Sequence, residues 1–474
     1  KVIFKKMKNY FYILVLFLTT LLATSKQVYL TVQMMDQIQI INIEDMQIEQ
    51  SIMTEFSDAS NSDSCMDIET ETNCNITEGC EWMMGMCMES MSQDNINTPH
   101  FIAMDEINGY WFVTTIASGY VALFSLVDNT LIDTYFVGDA PALLVADPLS
   151  KRVYCSRMMP MNSMGNMMPG SESTLIQSLH YSATGLSEGV IYEINSPAPH
   201  GLAINEDGSE LYTASNTADW IYKINTETGE ISGAVMDVNV NNTPDQTTQR
   251  LKPIQCISAG NKLFVSCSAG PWMDPWTGDQ DVIPGKLQMW NSNTMELIDT
   301  YNFDNYSSPW HIKNSPIDNL IYVALSGDNL YDTEGVACIR FSDEEMNMEW
   351  ITHDDNFEIL HGIDVSSDGQ NILVSGRGDG NIHKLDASGT YIDNTFLGSM
   401  SMLGGVAVEK KGLPLLGDLN NDQNVNVSDA VLGINIIFYP TMADPYPEYA
   451  CDLNQDGFIN IVDIVLIVGL ILGI

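Results

Sequence analysis

Residues 199–233 constrain the fold more than any other stretch, because their pattern recurs along the middle of the chain. They read PHGLAINEDGSELYTASNTADWIYKINTETGEISG, which predicts four short strands separated by turns. Asp207-Gly208 lies between two apolar alternations and is a strong hairpin signal, since both residue types tolerate positive φ. The turn and the strand that follows it recur as INGYWFVTT, LSKRVYCS, DGSELYTA, AGNKLFVSC, IDNLIYVAL and DGQNILVSG.

The spacing of these copies indicates a repeat architecture. Each copy keeps one aromatic or aliphatic residue inside its second strand, 42 to 58 residues from the next copy: Phe112, Tyr154, Tyr212, Phe264, Tyr322 and Leu373. An all-strand repeat of this length is typical of propeller blades, which bury their faces against their neighbours. We therefore expect a mainly β fold, a six- or seven-bladed propeller. A lone strand at 404–409, GGVAVE, would close the ring by completing a blade with the other end of the domain.

The charge balance excludes some classes of partner. The chain has 62 acidic and 19 basic residues and a formal charge of −43. A field of this sign repels nucleic acids and anionic membrane surfaces, so we expect no nucleic-acid partner. It suits a secreted protein in a calcium-rich or saline setting, and we favour a solubility surface without a specific acidic function.

The N-terminal residues have the layout of a secretory signal peptide, which we place at 1–25. Lysines precede an apolar run from Tyr10 to Ala23, and Ala23-Thr24-Ser25 offers small residues for cleavage before Lys26. The run is too short for an ordinary membrane-spanning helix. Residues 26–60 show no clear period, and we interpret them as a linker or weakly structured segment.

Four cysteines cluster at 61–92, namely Cys65, Cys74, Cys80 and Cys87. In an exported chain such density predicts a small disulfide module, because so short a segment cannot build a sufficient core. Zinc is the competing interpretation, but the spacing lacks a C-x-x-C pair. The Gly79-Cys80-Glu81-Trp82 arrangement resembles the small disulfide modules of plexins, semaphorins and integrins.

Residues 98–412 resemble the extracellular YVTN or lactonase-like β-propellers, through HGLAINEDG, ELYTA and IYKINTETGE in the third repeat. The resemblance implies the fold rather than an activity, because propellers host binding, lactone hydrolysis, oxidoreduction and scaffolding alike.

Histidine placement is the most specific chemical signal within these repeats. His200, His311 and His361 each stand seven residues before an aspartate, and His100 stands eight before Asn108. In a propeller these positions fall where the innermost strands begin, near one mouth of the channel. Neutral imidazoles that converge there could ligate copper or zinc. Alternatively, Pro-His-Gly is simply a habitual way to start a strand in this repeat.

Other candidate groups remain open on sequence alone. The segment MMPMNSMGNMMPG at 158–170 offers thioethers that suit soft metals, or is an ordinary blade insertion. Cys256 and Cys267 bracket a predicted hairpin and would pair only if the cross-strand geometry permits. With no G-x-S-x-G elbow or phosphate loop in the sequence, we assign no catalytic residue.

A different pattern begins after Pro414. Two loops carry Asp or Asn at positions 1, 3, 5, 9 and 12, and calcium prefers such oxygen ligands, with a backbone carbonyl at position 7. The first set is Asp418, Asn420, Asp422, Asn424, Asn426 and Asp429. The second set is Asp452, Asn454, Asp456, Phe458, Asn460 and Asp463.

This duplicated pattern is similar to type I dockerins, which we place at 416–474. The resemblance implies two calcium ions and a cohesin-type partner domain. Gln423 replaces the glycine usual at position 6, so we expect weaker binding in the first loop than in the second, which keeps Gly457. Val427-Ser428 and Ile461-Val462 stand where dockerins commonly carry polar cohesin-reading pairs. The apolar last helix is interpreted as a dockerin helix, not a transmembrane anchor.

The sequence thus predicts a secreted, polysaccharide-associated protein with a Cys-rich module, a propeller and a dockerin. The leading hypothesis is that the dockerin attaches the chain to a cohesin-bearing surface or complex, where the propeller binds an unknown ligand or protein. The alternative is a secreted propeller enzyme, either a metal-dependent oxidoreductase that uses the channel histidines or a hydrolase of lactones or polysaccharides.

Overall fold

The central part of the chain forms a ring of seven four-stranded antiparallel sheets. The computed structural model describes residues 26–54, 80–83, 86–89, 97–138, 140–158, 173–237, 239, 242–328, 331–410, 415–420, 424–439, 448–454, 456 and 458–473, with the backbone alone at 80–83 and 86–89. The signal peptide predicted at 1–25 lies outside these residues.

Blades 1 to 6 each use four strands in chain order, from the channel outwards. Blade 1 consists of Pro99–Asp105, Tyr110–Thr115, Tyr120–Ser125 and Leu131–Phe136. Blade 2 consists of Pro141–Asp147, Arg152–Arg157, Leu175–Ser182 and Gly185–Glu193. Blade 3 consists of Pro199–Ile204, Glu210–Ser215, Trp220–Asn225 and Ile231–Val235. Blade 4 consists of Pro253–Ala259, Lys262–Cys267, Lys286–Asn291 and Leu297–Asn302. Blade 5 consists of Pro309–Asn314, Leu320–Leu325, Gly335–Phe341 and Met346–Thr352. Blade 6 consists of Leu360–Val365, Asn371–Gly376, Asn381–Asp386 and Tyr391–Phe396.

Blade 7 closes the ring with strands from both ends of the domain. Its innermost strand is Leu403–Val408, and its outer strands are Gln27–Val32, Gln37–Asn42 and Ile48–Met53. The lone strand expected near 404–409 therefore does complete a blade, and the propeller has seven blades. Residues 27–53 differ from the expected linker, because they form strands whose inner two bury Val28, Leu30, Ile38 and Ile40 completely.

The closing strands also carry the seventh copy of the repeat. Tyr29 is the third residue of its strand, as Tyr212 is in blade 3, and both are almost fully buried. The pattern KQVYLTV at 26–32 is comparable to NKLFVSC at 261–267, and this is the sequence signal by which the closing blade could have been found.

The core is divided into seven apolar clusters, each between two neighbouring blades. Tyr29 and Trp111 join blades 7 and 1, with ring centroids 5.3 Å apart. Leu373 packs against Val28 and Val406 across blades 6 and 7. Because each blade buries its faces only against its neighbours, closure of the ring determines whether the first and last interfaces exist.

The two faces of the ring carry connections of different length. Innermost strands begin at the entry face, which carries Pro99, Pro199 and Pro309, and end at the exit face. On the exit face every connection within a blade is at most five residues long. The long connections all join strands at the entry face: 54–98, 158–174, 236–252 and 268–285. The strand Leu403–Val408 ends at the exit face, so the chain leaves the ring there towards its C-terminal helices.

Two of the long connections contain hairpins. Gly270–Met273 pairs with Gln280–Ile283 in blade 4, and Cys80–Met83 pairs with Met86–Glu89 between blades 7 and 1. A short 3-10 turn, Gln33–Met35, lies at the entry face of blade 7.

The C-terminal region is helical. Helix α1 spans Val427–Phe438, α2 spans Glu448–Cys451 and α3 spans Ile461–Leu472. Leu419, Ala430, Ile436, Ile464 and Ile467 form its small core. Within the described residues, no helix combines the length and apolar character needed to cross a membrane.

Candidate functional site

Four histidines lie at the starts of innermost strands, at the entry face. His100, His200 and His361 are the second residues of their strands, and His311 is the third. In all seven blades the residue before the innermost strand has a φ between 46° and 54°, and the strand register shifts just after the strand begins. Irregularities of this kind redirect side chains out of the ordinary alternation. They explain how residues at these positions come together at one mouth of the channel.

Three of the four rings are in edge-to-face contact. The ring centroids of His311 and His361 are 4.7 Å apart, and those of His100 and His361 are 5.7 Å apart. Phe101 lies against His311 and Trp310 lies against His361, each at a centroid distance of 5.4 Å. We call His100, His200, His311 and His361 the entry histidines.

Hydrogen bonds assign the tautomers of two rings. The side-chain amide of Gln33 donates to Nδ1 of His100 over 2.7 Å, which places the proton of that ring on Nε2. His200 donates from Nδ1 to the carbonyl of Ile254 over 2.6 Å. In contrast, His311 Nε2 and His361 Nδ1 are buried and have no hydrogen-bond partner within the described part of the chain.

The entry histidines are neutral at ordinary pH. Burial is the largest cause in every case. It lowers the pKa of His100 to about 3, lowers that of His200 below its usual value, and lowers those of His311 and His361 well below it. His200 contributes electrostatically to the lowered pKa values of the other three rings, which places it beside them.

Arg377 adds a cation to this neutral cluster. It follows the second strand of blade 6 at the entry face, and its charge contributes to the lowered pKa values of His100, His311 and His361. Burial lowers the pKa of Arg377 itself, and within the described part of the chain no acidic residue contributes to that pKa. Sequence reasoning missed this residue, because an arginine after a strand carries no motif.

The geometry does not support the copper or zinc expected at the entry histidines. Within the residues that the structure describes, no three His, Cys, Asp or Glu side chains are arranged to hold a metal ion. The rings meet edge to face rather than around a common point, and a guanidinium stands beside them. A second cation would meet electrostatic repulsion there.

Behind the entry histidines the channel holds a cavity of about 320 Å³. It is lined by the innermost strands of all seven blades, and Phe101 and His311 belong to its wall. The rest of the wall combines aliphatic residues such as Leu144 and Leu202 with polar ones such as Gln255.

Charged groups gather where this cavity approaches the exit face. Lys410 donates to Asp364 Oδ1 over 2.6 Å, and Lys313 Nζ lies 3.4 Å from the same oxygen. The ammonium groups outweigh the effect of burial and lower the pKa of Asp364, whereas burial lowers the pKa of Lys410 to about 8. The backbone N–H of Lys410 donates to Glu106 over 2.6 Å, so residues of blades 1 and 6 both hold the end of blade 7. We call Glu106, Lys313, Asp364 and Lys410 the closing lock.

The C-terminal loops are two copies of one arrangement. In the first, Oδ1 of Asp429 accepts backbone hydrogen bonds from Leu419 and Asn420 over 2.9 and 3.3 Å, and Oδ2 accepts one from Asn426 over 2.8 Å. Asn426 caps helix α1 in return, by accepting from the N–H of Ser428.

The second loop repeats this geometry. Oδ1 of Asp463 accepts from Leu453 and Asn454 over 3.0 and 3.4 Å, and Oδ2 accepts from Asn460 over 2.9 Å. Asp456 N–H donates to Asp452 and Asn454 over 3.2 and 3.0 Å, which wraps the loop around its first residues. Asn460 Nδ2 donates to the carbonyl of Phe458, and Asn426 Nδ2 donates likewise to Asn424.

The donor set of these loops fits a hard cation. Asp418, Asp429 and Asp463 are almost completely buried, and residues 412–474 contain no Lys, Arg or His. No basic side chain of this segment can therefore neutralise them, whereas carboxylate and amide oxygens are the ligands that calcium prefers. Asp422 and the position-6 residues Gln423 and Gly457 lie outside the described residues, so the calcium ligand set stays a prediction.

Helices α1 and α3 of this module each expose an apolar stripe. The stripes are at least 40 % exposed and follow the same spacing: Val427, Val431, Ile434 and Phe438 on α1, then Ile461, Val465, Val468 and Leu472 on α3. Only Ile464, Ile467 and Asp463 of α3 are fully buried, so most of its apolar surface faces outwards rather than into the core.

Four cysteines of the propeller are free thiols. Cys155, Cys256, Cys267 and Cys338 are buried and form no disulfide. Cys256 lies opposite Val265 and Cys267 opposite Pro253, so the two cysteines considered as a pair occupy different rungs of their ladder. Of the Cys-rich module, Cys65 and Cys74 and the side chains of Cys80 and Cys87 lie outside the described residues. The 158–170 methionine segment lies outside them almost entirely.

Comparisons with known proteins agree with both halves of this architecture. Residues 416–472 match the family defined as the dockerin type I domain. A search among curated proteins gave no match. Among solved structures, a functionally unknown protein from Desulfotomaculum acetoxidans is similar at a TM-score of 0.55 and 11 % identity, covering 81 % of this chain and 99 % of that one. A 6-phosphogluconolactonase-like protein from Bacteroides fragilis is similar at a TM-score of 0.53 and 14 % identity, and the match covers 81 % of this chain and 98 % of that one.

These findings define a class of protein: a seven-bladed β-propeller followed by a helical module with duplicated loops. That module is a type I dockerin domain, at residues 416–472. Dockerin domains bind cohesin domains and in general bind calcium. The structural neighbours share the propeller fold, and at their low identity they show nothing beyond it.

Proposed function

We propose that this chain is an exported protein whose dockerin binds calcium and attaches it to a cohesin-bearing complex, where the propeller acts as a ligand-binding module. The observation that carries the proposal is the difference between the two faces of the ring. The chain leaves for the dockerin from the exit face, while the long connections and the entry histidines belong to the entry face. Tethering through the dockerin thus leaves the entry face open to a ligand.

The exposed stripes of α1 and α3 are the surface proposed to meet the cohesin. Apolar side chains are exposed at the same four positions of both helices, and exposed apolar patches on proteins commonly mark interaction sites. Val427 and Ile461 belong to these stripes and also occupy the positions at which dockerins read their partners. Their apolar character favours a cohesin with an apolar contact surface.

Retention on immobilised type I cohesin domains tests the docking step. We expect the full chain to be retained with calcium and released by a chelator, and the double variant Val431→Asp, Val465→Asp to lose at least tenfold in affinity. Val190→Asp, at an exposed position on the propeller, is the matched control and should bind as the unaltered chain does. Equal binding by both variants, or retention that ignores the chelator, would contradict the proposal.

A further inference from the structure

The entry histidines present buried polar atoms that nothing in the described protein satisfies. His311 Nε2, His361 Nδ1 and the indole N–H of Trp310 are all buried without a hydrogen-bond partner there. The great majority of buried polar groups in folded proteins have a partner, because an unsatisfied one destabilises the folded state. Three such atoms within one cluster are typical of a place where a ligand completes the hydrogen bonds.

The charge at this mouth has a definite sign. Arg377 is the cation of the cluster, and a guanidinium stays protonated even where burial lowers its pKa. Among the described residues, no carboxylate contributes to the pKa of Arg377, although the chain has 62 acidic residues. The three rings that Arg377 influences are neutral, so they neither compensate its charge nor add to it. A half-buried cation without a nearby counter-charge is unfavourable, and a bound anion reduces that cost.

The surroundings of the cluster favour an organic anion. Phe101 and Trp310 lie against the rings of His311 and His361, and the cavity of about 320 Å³ continues from His311 between aliphatic and polar side chains. A guanidinium fork matches a carboxylate with two parallel hydrogen bonds. An inorganic ion would bind the guanidinium but would leave the aromatic rings and the cavity behind them without contacts.

We propose that the entry mouth binds the carboxylate of a small organic acid, with Arg377 as its counter-ion and the unpaired ring nitrogens of His311 and His361 within the same site. The carboxylate lies at the mouth, and the body of the molecule extends into the channel. This inference rests on the proposed function only in taking the entry face as the binding face. It replaces the transition metal that the histidines alone had suggested, because Arg377 reverses the charge preference of the site.

Titration calorimetry on the full chain tests the proposal, with sodium glucuronate as the carboxylate probe. Glucose is the neutral match and sodium sulfate the inorganic anion. We expect saturable binding of glucuronate, at least tenfold tighter than either comparison ligand. Arg377→Gln should weaken glucuronate binding at least tenfold. Arg340→Gln removes the same charge from the exposed Arg340–Glu349 pair and should leave binding unchanged.

Further measurements decide the remaining outcomes. If Arg377→Gln loses its cooperative melting transition, Arg377→Lys provides the readout, since it keeps the charge but loses the fork and should still weaken binding. Glucuronate that binds no better than glucose, sulfate that binds better than glucuronate, or Arg377 variants that bind normally would each overturn the proposal. Cohesin retention is measured on the same samples, so failure of the carboxylate site remains distinguishable from failure of the docking function.

Discussion

At the scale of single residues, the entry histidines show how burial changes the role of a familiar side chain. An exposed histidine titrates near neutrality, but these four have lowered pKa values and stay neutral as the pH falls. Gln33 and the carbonyl of Ile254 then hold two of the rings in single tautomers. The cluster acts as a fixed arrangement of neutral donors and acceptors around Arg377, not as a proton buffer.

We expect the stability of the propeller to depend on the pH through these rings. Below about pH 6.5 an unfolded chain protonates the histidines while the folded chain does not, so stability falls as the pH falls towards the folded pKa values. Each ring contributes up to about 1.4 kcal/mol per pH unit in that window. Urea unfolding between pH 7.5 and 5.5 should therefore show a smaller pH dependence for His100→Gln than for the unaltered chain.

The matched control for this experiment is His180→Gln, because His180 lies on the third strand of blade 2, away from the channel, and is only partly buried. Its pH dependence should stay close to that of the unaltered chain. Identical pH dependences for the His100 variant and the unaltered chain would contradict the neutral, buried state of His100.

At the scale of elements, the closing lock joins blades 1, 5, 6 and 7, next to the place where the chain does not run continuously through the ring. Asp364 of blade 6 accepts from Lys410 and from the backbone N–H of Val408, and Glu106 of blade 1 accepts from the backbone of Lys410. These charges are largely withdrawn from solvent, so each depends on its partner.

Asp364→Asn should destabilise the propeller by about 3 kcal/mol, because it leaves the buried Lys410 without its counter-charge. Glu349→Gln, which breaks the half-exposed pair with Arg340, should cost less than about 1 kcal/mol. Chemical unfolding of both variants measures the difference. Similar losses from the two substitutions would show that the lock contributes no more than a surface ion pair.

The duplicated loops of the dockerin are the second element whose chemistry can be ranked. We expect Asp452→Ala to reduce calcium affinity more than Asp418→Ala, since the second loop keeps Gly457 where the first has Gln423. Calcium titration of the full chain, first stripped with a chelator, measures both sites. Equal effects of the two substitutions would contradict the ranking, and no calcium uptake at all would contradict the proposed ligands.

At the scale of the whole molecule, the ring is completed by chain segments more than 350 residues apart. Leu403–Val408 pairs with Gln27–Val32, and only then do the apolar clusters on both sides of blade 7 exist. Without the closing strands the innermost strand of blade 7 would expose an unpaired edge, which promotes aggregation.

Deletion of residues 27–53 should therefore abolish cooperative unfolding of the propeller or cause the protein to aggregate. Truncation after Lys410, which removes the dockerin, should leave the main melting transition within a few degrees of the full chain. Calorimetry of the two truncated proteins distinguishes these outcomes. A stable, monomeric protein without residues 27–53 would show that the six other blades do not need the seventh.

The sequence by itself determined the features that depend on local chemistry. Asp-Gly and Asn-Gly turns between apolar alternations predicted the blades, and the ligand spacing of Asp418–Asp429 and Asp452–Asp463 predicted the dockerin, because such patterns act over a few residues. The entry histidines were also identifiable, since a repeat places equivalent residues at equivalent positions.

Only the tertiary structure decided how distant segments combine. Residues 27–53 repeat the strand pattern at KQVYLTV but have no tight-turn signal, and their place in blade 7 depends on pairing with a strand at the other end of the domain. Arg377 likewise became significant only once folding brought it beside three imidazoles from other strands. The charge of a site is the sum over all residues that surround it, and those neighbours come from parts of the chain that no local pattern connects.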